Sequence, residues 1–132
     1  MKKIILLLGL VTLFSCSNEN NVYDEQVINI QIVEIPNEYK EKYTFSDLKV
    51  DVYLKLDDYF NEKNSFFSSN VDNEGKITIS KNIQFGTRYY IDIYTEDRIL
   101  SNWKPTDLNV DSSNTIVFGS GGNINNFLIK LV

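Results

Sequence analysis

The sequence has no histidine, no alanine and only one cysteine among its 132 residues. Without histidine, neither a Ser–His nor a Cys–His catalytic pair can form, and histidine-ligated zinc is excluded. A single cysteine cannot form a disulfide within the chain, so an exported domain has only its core to stabilise it. Alanine is the best helix former, while the abundant isoleucine, tyrosine and phenylalanine favour strands. We therefore expect an all-β domain that is not an enzyme.

The N-terminus has the layout of an export signal. Lys2 and Lys3 precede an apolar run over residues 4–14. As a helix this run would be ~17 Å long, about half the thickness of a bilayer core, which is too short to span it. A short positive segment followed by a short apolar one is typical of a signal peptide.

Cys16 lies where the apolar run ends and the polar stretch "SNENN" begins. The residues Leu13-Phe14-Ser15-Cys16 resemble the lipobox of bacterial lipoproteins, of the Bacteroidetes type. The resemblance implies that Cys16 is linked to diacylglycerol and becomes the first mature residue. It predicts a signal peptide over 1–15, a lipidated cysteine and flexible tether over 16–25, and a domain over 26–132. The predicted location is the cell envelope, anchored to the outer membrane by lipid.

Cys16 is also compatible with roles that involve no lipid. Cleavage after Ser17 gives a plain secreted protein, and an uncleaved segment gives a retained membrane anchor. The cysteine could also be a buried or reactive free thiol. The polar residues that follow it offer no core in which to bury it.

The mature chain is acidic. Removing residues 1–15 takes away two of the 13 Lys and Arg and none of the 18 Asp and Glu, which leaves 117 residues with a charge of −7. A chain of this length supports one domain with one core. Its negative charge repels phosphate backbones, so nucleic acid is not expected as a partner.

Apolar residues alternate with polar ones along several segments, as in half-buried strands. Ile28, Ile30 and Ile32 share one predicted face, and the segment 49–56 alternates through Val50, Val52, Leu54 and Leu56. Tyr89, Ile91 and Ile93 are predicted to face inward, so that Tyr53, Tyr90 and Tyr94 face outward on their strands. Further strands are predicted in "NTIVF" and "NFLIKLV", the last as a central strand because it is apolar on both faces.

The segment "SFFSSNVDNEGKITIS" predicts a hairpin, with a turn at Asp72–Gly75 and a positive φ at Gly75. Ile77 and Ile79 are expected to face inward beyond this turn. About seven strands with short turns predict an antiparallel β-sandwich.

Residues 49–95 resemble the prealbumin-like domains of the transthyretin and carboxypeptidase-regulatory type. The resemblance rests on the strand "VDVYLKL", on Asp72 and Gly75, and on Gly86 followed by Tyr89. It implies a fold and assigns no activity. Related hydrolases and dioxygenases use histidines that this chain lacks. Small lipoproteins of this fold resemble scaffold or accessory parts of outer-membrane assemblies, such as secretion systems.

The best candidates for a binding surface are Trp103 and the outward tyrosines Tyr53, Tyr90 and Tyr94. Aromatic residues anchor protein interfaces and stack on sugars. The alternative is that Trp103 covers one end of the core and that the tyrosines form ordinary cross-strand pairs.

The acidic residues lie mostly in predicted turns, at Asp57-Asp58, Asp72/Glu74, Glu96-Asp97 and Asp107/Asp111. They are interpreted as solvated charges, with a weak cation site or a glycosidase carboxylate pair as the alternatives. No cofactor and no metal is predicted. The expected function is that of a non-enzymatic binding or scaffold domain with a protein or glycan partner. The alternatives are a carbohydrate- or cation-binding module and an immunity, inhibitor or secretion-accessory lipoprotein.

Overall fold

The computed structural model describes residues 26–104, 114–119 and 124–132, and these residues form mostly β-structure. Period-2 alternation of apolar residues explains the longer strands, because it places one face of each strand in the core. The strands are β1 (Val27–Ile32), β2 (Leu48–Tyr53), β3 (Phe67–Asn70), β4 (Lys76–Ile79), β5 (Arg88–Thr95), β6 (Ile116–Phe118) and β7 (Ile124–Ile129). One α-helix, α1 (Leu56–Asn61), and two short 3-10 helices (Asn37–Tyr39 and Phe45–Asp47) complete the described elements.

The strands form two sheets around a common core. The first sheet has the order β4-β1-β7, and the second has the order β3-β2-β5-β6. Ile28, Ile30 and Ile32 of the first sheet lie in the same buried cluster as side chains from β2 and β5 of the second. For the described residues, the prediction of a mainly β domain with about seven strands in two sheets is confirmed, and so are the inward faces of β1, β4 and β5.

The expected antiparallel pairing fails at one place. Strand β1 pairs with β7 in parallel, from Val27 opposite Ile124 to Ile32 opposite Ile129, whereas the other described strand pairs are antiparallel. The predicted central position of β7 is also wrong, because β7 is the edge of its sheet among the strands that the structure describes. Leu128 lies on the second apolar face of this segment, and it is 70% exposed, so this face is not buried by another layer at that point.

The Asp72–Gly75 turn is confirmed, but the hairpin is wrong. Gly75 has a φ of 78° and donates its N–H to the Asp72 carbonyl at 3.0 Å. Strand β3, before the turn, pairs with β2, while β4, after the turn, pairs with β1. The turn therefore carries the chain from one sheet to the other. The two ends of the turn bond to different sheets. Val71 N–H donates to the Leu48 carbonyl of β2, and Ile32 N–H of β1 donates to the Gly75 carbonyl.

Strand β2 ends at Tyr53, earlier than the alternation predicted. Leu54 is exposed, and Leu56 is the first residue of α1, so neither extends the buried face of the strand. Leu56, Tyr59 and Phe60 have the i, i+3, i+4 spacing of a helix face. The helix ends at Asn61 and is capped by Glu62, which adopts a left-handed conformation.

Cys16 and the predicted tether lie outside the described residues, so lipidation stays a prediction. Among the residues that are described, no helix is long and apolar enough to cross a membrane.

Candidate functional site

The outer face of the four-stranded sheet carries a second apolar cluster, formed mainly by aromatic residues. Tyr53 of β2 lies directly opposite Tyr90 of β5, and both belong to this second cluster. Helix α1 places Tyr59 over this pair, with ring centroids 5.8 Å from Tyr53 and 6.1 Å from Tyr90. The Tyr53–Tyr59 contact is edge-to-face, a favourable arrangement for aromatic rings, and the Tyr59 and Tyr90 rings are tilted by 42°.

Tyr53 and Tyr90 lie on the predicted face of the sheet, but the expectation that they are exposed is wrong. Tyr53 is 2% exposed and Tyr90 is 9% exposed, because α1 covers them. Burial raises the pKa of Tyr53 to about 12. These two tyrosines therefore form the base of a site and cannot be its contact surface.

Trp103 is brought to the same cluster by a short segment that runs beside β5. Ser101 forms a bridge with Tyr94 of β5, and the buried Asn102 holds the segment against the strand. The Trp103 ring is half-buried and lies 6.0 Å from Tyr59 and 6.1 Å from Phe60, centroid to centroid. Phe60, on the outer side of α1, is half-exposed. Trp103 and Phe60 are thus the accessible aromatic residues of the cluster.

A charged group lies next to these rings. Arg98 contacts Glu62 at 2.8 Å and Asp92 at 3.3 Å, measured from guanidinium nitrogen to carboxylate oxygen. Its guanidinium also lies 4.1 Å above the ring of Tyr94. Asp92 is buried, and this burial raises the pKa of its carboxyl despite the opposing effect of Arg98. The ion pair and the stacking hold the Arg98 side chain in one orientation.

Together these residues enclose a cleft of about 230 Å³. The Tyr59 hydroxyl and the Trp103 indole N–H have no hydrogen-bond partner among the residues that the structure describes. Buried tyrosine and tryptophan polar groups usually have one. The cleft offers flat apolar rings, a fixed cation and two carboxylates, a combination suited to binding a partly polar ligand. Its lining consists of Tyr59, Phe60, Glu62, Asp92, Arg98, Ser101 and Trp103.

Tyr94, the remaining predicted residue, lies beside the cleft. Its hydroxyl donates to Asp51 Oδ2 at 2.7 Å, and Ser68 donates to the other oxygen of the same carboxylate. Burial raises the pKa of Tyr94 first, and the hydrogen bond to Asp51 raises it further. Tyr94 supports Arg98 from below and so positions the site.

The acidic turns that the structure describes do not converge on a metal site. No group of three or more histidine, cysteine, aspartate or glutamate residues with the geometry of a metal site occurs among residues 26–104, 114–119 and 124–132. Asp72 accepts hydrogen bonds from backbone N–H groups of its own turn, and Asp97 accepts from Tyr43 and Thr95. Asp107 and Asp111 lie outside the described residues.

Tyr59, Phe60, Glu62, Asp92 and Arg98 were not among the predicted site residues. The signal that could have found the first two is the helical spacing in "LDDYF", which also ends the preceding strand. The Arg98 ion pairs have no local signal, since they depend on how α1 is placed on the sheet. Comparison of the chain with protein-family models, with curated proteins and with solved structures finds no match.

Proposed function

We propose that this chain is a lipid-anchored envelope protein that acts as a non-enzymatic binding domain through the cleft on its four-stranded sheet. The observation that carries the proposal is the combination of Trp103 and Phe60 with Arg98, which is fixed by Glu62 and Asp92. Tryptophan, arginine and neighbouring aromatic residues dominate the binding energy of protein interfaces. Preorganisation of Arg98 also lowers the entropy lost when a partner binds.

The anchor is proposed from the sequence. Lys2 and Lys3, the apolar run, and Cys16 after Leu-Phe-Ser support export followed by lipidation. Two or more acyl chains make such anchoring stable, at ~0.8 kcal/mol for each buried methylene. We expect Cys16→Ala to remain unprocessed or to leave the membrane fraction, and to lose incorporation of a labelled fatty acid. A signal-cleaved Cys16→Ala form that stays with membranes would contradict the anchor.

We also propose that the domain is of the prealbumin type. The stretch that carries the resemblance corresponds to β2, the Asp72–Gly75 turn, β4, Gly86 and β5. Gly86 has a φ of 72° two residues before β5 begins, a conformation that favours glycine. For a domain of this kind, a scaffold or accessory role in an envelope assembly is the expected biological setting, and an immunity or inhibitor role is a variant of it.

The protein-binding role is tested by placing a photo-crosslinking amino acid at Phe60 in living cells. Leu128 on the opposite sheet is the matched control, because it is apolar and at least as exposed as Phe60. We expect a discrete adduct from position 60 and none from position 128, and we expect Arg98→Ala to abolish the adduct. Equal labelling from both positions would mean that the cleft has no specific partner.

A glycan is the second candidate ligand. It is favoured by an indole N–H without a partner among the described residues, next to carboxylates that can accept hydrogen bonds from sugar hydroxyls. Trp103 is the only tryptophan of the chain, so its fluorescence reports directly on the cleft. Saturable quenching by an oligosaccharide, lost in Phe60→Ala and kept in Leu128→Ala, would support this candidate. A fluorescence that is indifferent to a panel of oligosaccharides would exclude it.

A further inference from the structure

The loop 80–87 and residues 118–119, at the end of β6, lie at one end of the sandwich, which we call the tether end. Strand β1 begins here, because Val27 and Ile28 lie opposite the start of β7 and the last residue of β4. Strand β5 also begins here, at Arg88, which lies opposite Phe118 at the end of β6. The chain that leads back to Cys16 therefore leaves the domain from this end.

The tether end exposes two large aromatic residues, Phe85 on the loop 80–87 and Phe118 at the end of β6. Phe85 is 73% exposed and Phe118 is 47% exposed. The two loops are joined by hydrogen bonds from Gly86 N–H to the Gly119 carbonyl at 2.9 Å and from Gly119 N–H to the Thr87 carbonyl at 3.1 Å. A Cβ at Gly119 would lie 2.2 Å from a backbone oxygen of the first loop, so the loops approach each other closely. Phe85 is therefore held outward on an ordered tip.

The charges at this end differ from those at the opposite end. Loops 80–87 and 118–119, together with the first residue of β5, contain two basic residues, Lys81 and Arg88, and no acidic residue. The neighbouring segment 54–66 contains two basic and three acidic residues. The loops at the opposite end, 33–47, 71–75 and 96–100, contain eight acidic and three basic residues. Residues 16–25, which lead to this end, add three acidic residues, Glu19, Asp24 and Glu25. The tether end is still less acidic than the opposite end, so a negatively charged surface meets less repulsion there.

The basic side chains lie next to aromatic rings. The Lys81 ammonium is 5.8 Å from the centroid of the Phe66 ring, and the Arg88 guanidinium is 5.4 Å from that of Phe118. Basic and aromatic side chains on one surface are typical of contact with the membrane interface, where aromatic rings sit among lipid headgroups.

We propose that the tether end rests on the lipid surface, with Phe85 among the headgroups and Lys81 facing anionic lipid. The inference rests on the proposed lipidation of Cys16. Gln26 follows Cys16 by ten positions, so the reach of the chain between them is at most ~35 Å. Because β1 starts at the tether end, this end is the one that a bilayer meets first. The cleft then faces sideways, parallel to the membrane plane.

The test uses the mature lipidated chain in vesicles of phosphatidylethanolamine and phosphatidylglycerol. Lipid occupies the native thiol of Cys16, so Phe85→Cys supplies the one free thiol for a nitroxide label. Ile99→Cys is the control, because Ile99 is 44% exposed at the opposite end. Collision rates with oxygen and with a water-soluble nickel chelate then measure the depth of each label. We expect the oxygen-to-nickel ratio at position 85 to exceed that at position 99 severalfold, since apolar oxygen concentrates in the lipid while the chelate stays in water.

Each other outcome has a distinct meaning. Equal ratios at the two positions in protein that floats with the vesicles would overturn the inference and leave the anchor intact. Protein that does not float would contradict the anchor, and with it the inference. A third outcome is that position 85 is shielded from both reagents, and that this shielding disappears at a lower ratio of protein to lipid. A second copy of the chain would then cover position 85, and the membrane contact would be overturned. A Phe118→Cys label is a second probe of the same end, with the same expected ratio.

Discussion

The Asn102 side chain bonds to backbone groups of β5 that have no neighbouring strand at this point in the part of the chain that the structure describes. We expect its removal to lower the free energy of unfolding. Strand β6 begins only at Ile116, opposite Tyr90, so the backbone of β5 beyond that point needs other partners. The Asn102 side chain accepts from Ile93 N–H at 2.8 Å and donates to the Ile91 carbonyl at 2.9 Å and to the Asn114 carbonyl. Asn102→Ala leaves three backbone groups without these partners. At ~1 kcal/mol or more for each such buried group, we expect a loss of about 3–4 kcal/mol in the free energy of unfolding.

Urea denaturation of the chain without residues 1–16 measures this loss, with Trp103 fluorescence and far-ultraviolet circular dichroism as the two probes. The neighbouring Trp103 should also change its native emission, because Asn102 positions it. Asn126→Ala is the matched control, since Asn126 is exposed and makes one long contact of 3.4 Å with Asn29. Its effect should stay within about 0.5 kcal/mol. A loss below about 1 kcal/mol for Asn102→Ala, or equal losses for both variants, would refute the reasoning.

Two further changes test the loops. Gly75→Val should lower the free energy of unfolding by about 1–2 kcal/mol, because the φ of 78° disfavours a residue with a Cβ. The added Cβ would also lie 3.1 Å from the Phe45 ring. An unchanged melting temperature would contradict this. Hydrogen bonds from Tyr43 and Thr95 hold the pKa of Asp97 well below its ordinary value of 3.8. Asp97 therefore contributes stability that is full above about pH 4 and is lost as the pH falls further, through the folded-state pKa. Asp97→Asn should be less stable at neutral pH and should lose less stability than the native chain below about pH 4 in urea titrations; parallel pH profiles would argue against this role.

Local patterns predicted the parts of the fold that local physics determines. Alternation identified the buried faces of β1, β4 and β5, because burial on one side of a strand imposes a period of two. The positive φ at Gly75 followed from the need for a residue without a Cβ in a tight turn. Both results depend on neighbouring residues alone.

Pairing between strands could not be predicted in the same way. The hairpin failed because the same turn can join two strands of one sheet or pass between two sheets, and Val71 and Gly75 bond to different sheets. The parallel pairing of β1 with β7 has no local signature either. Which strand neighbours which is decided by packing across the whole core.

The candidate site was predicted in part. Alternation placed Tyr53, Tyr90 and Tyr94 on one face, and that face does carry the cleft. The expected exposure of Tyr53 and Tyr90 was wrong because α1 was not predicted, and Leu56 was read as the continuation of a strand. A short helix can cover a sheet face that looks exposed in the sequence of the strands alone.

The parallel pairing of β1 with β7 affects the order in which the domain can fold. Asn29 is 49 residues from its neighbour Thr78 in β4, but 97 residues from its neighbour Asn126 in β7. During synthesis, the ribosome releases the N-terminus first. One edge of β1 therefore stays unpaired until residues 124–129 have left the ribosome and β7 can form. Such distant contacts make folding slow, and an open strand edge invites pairing with other chains. A chain that ends before residue 124 would thus present an open edge at β1, where an aggregate can start.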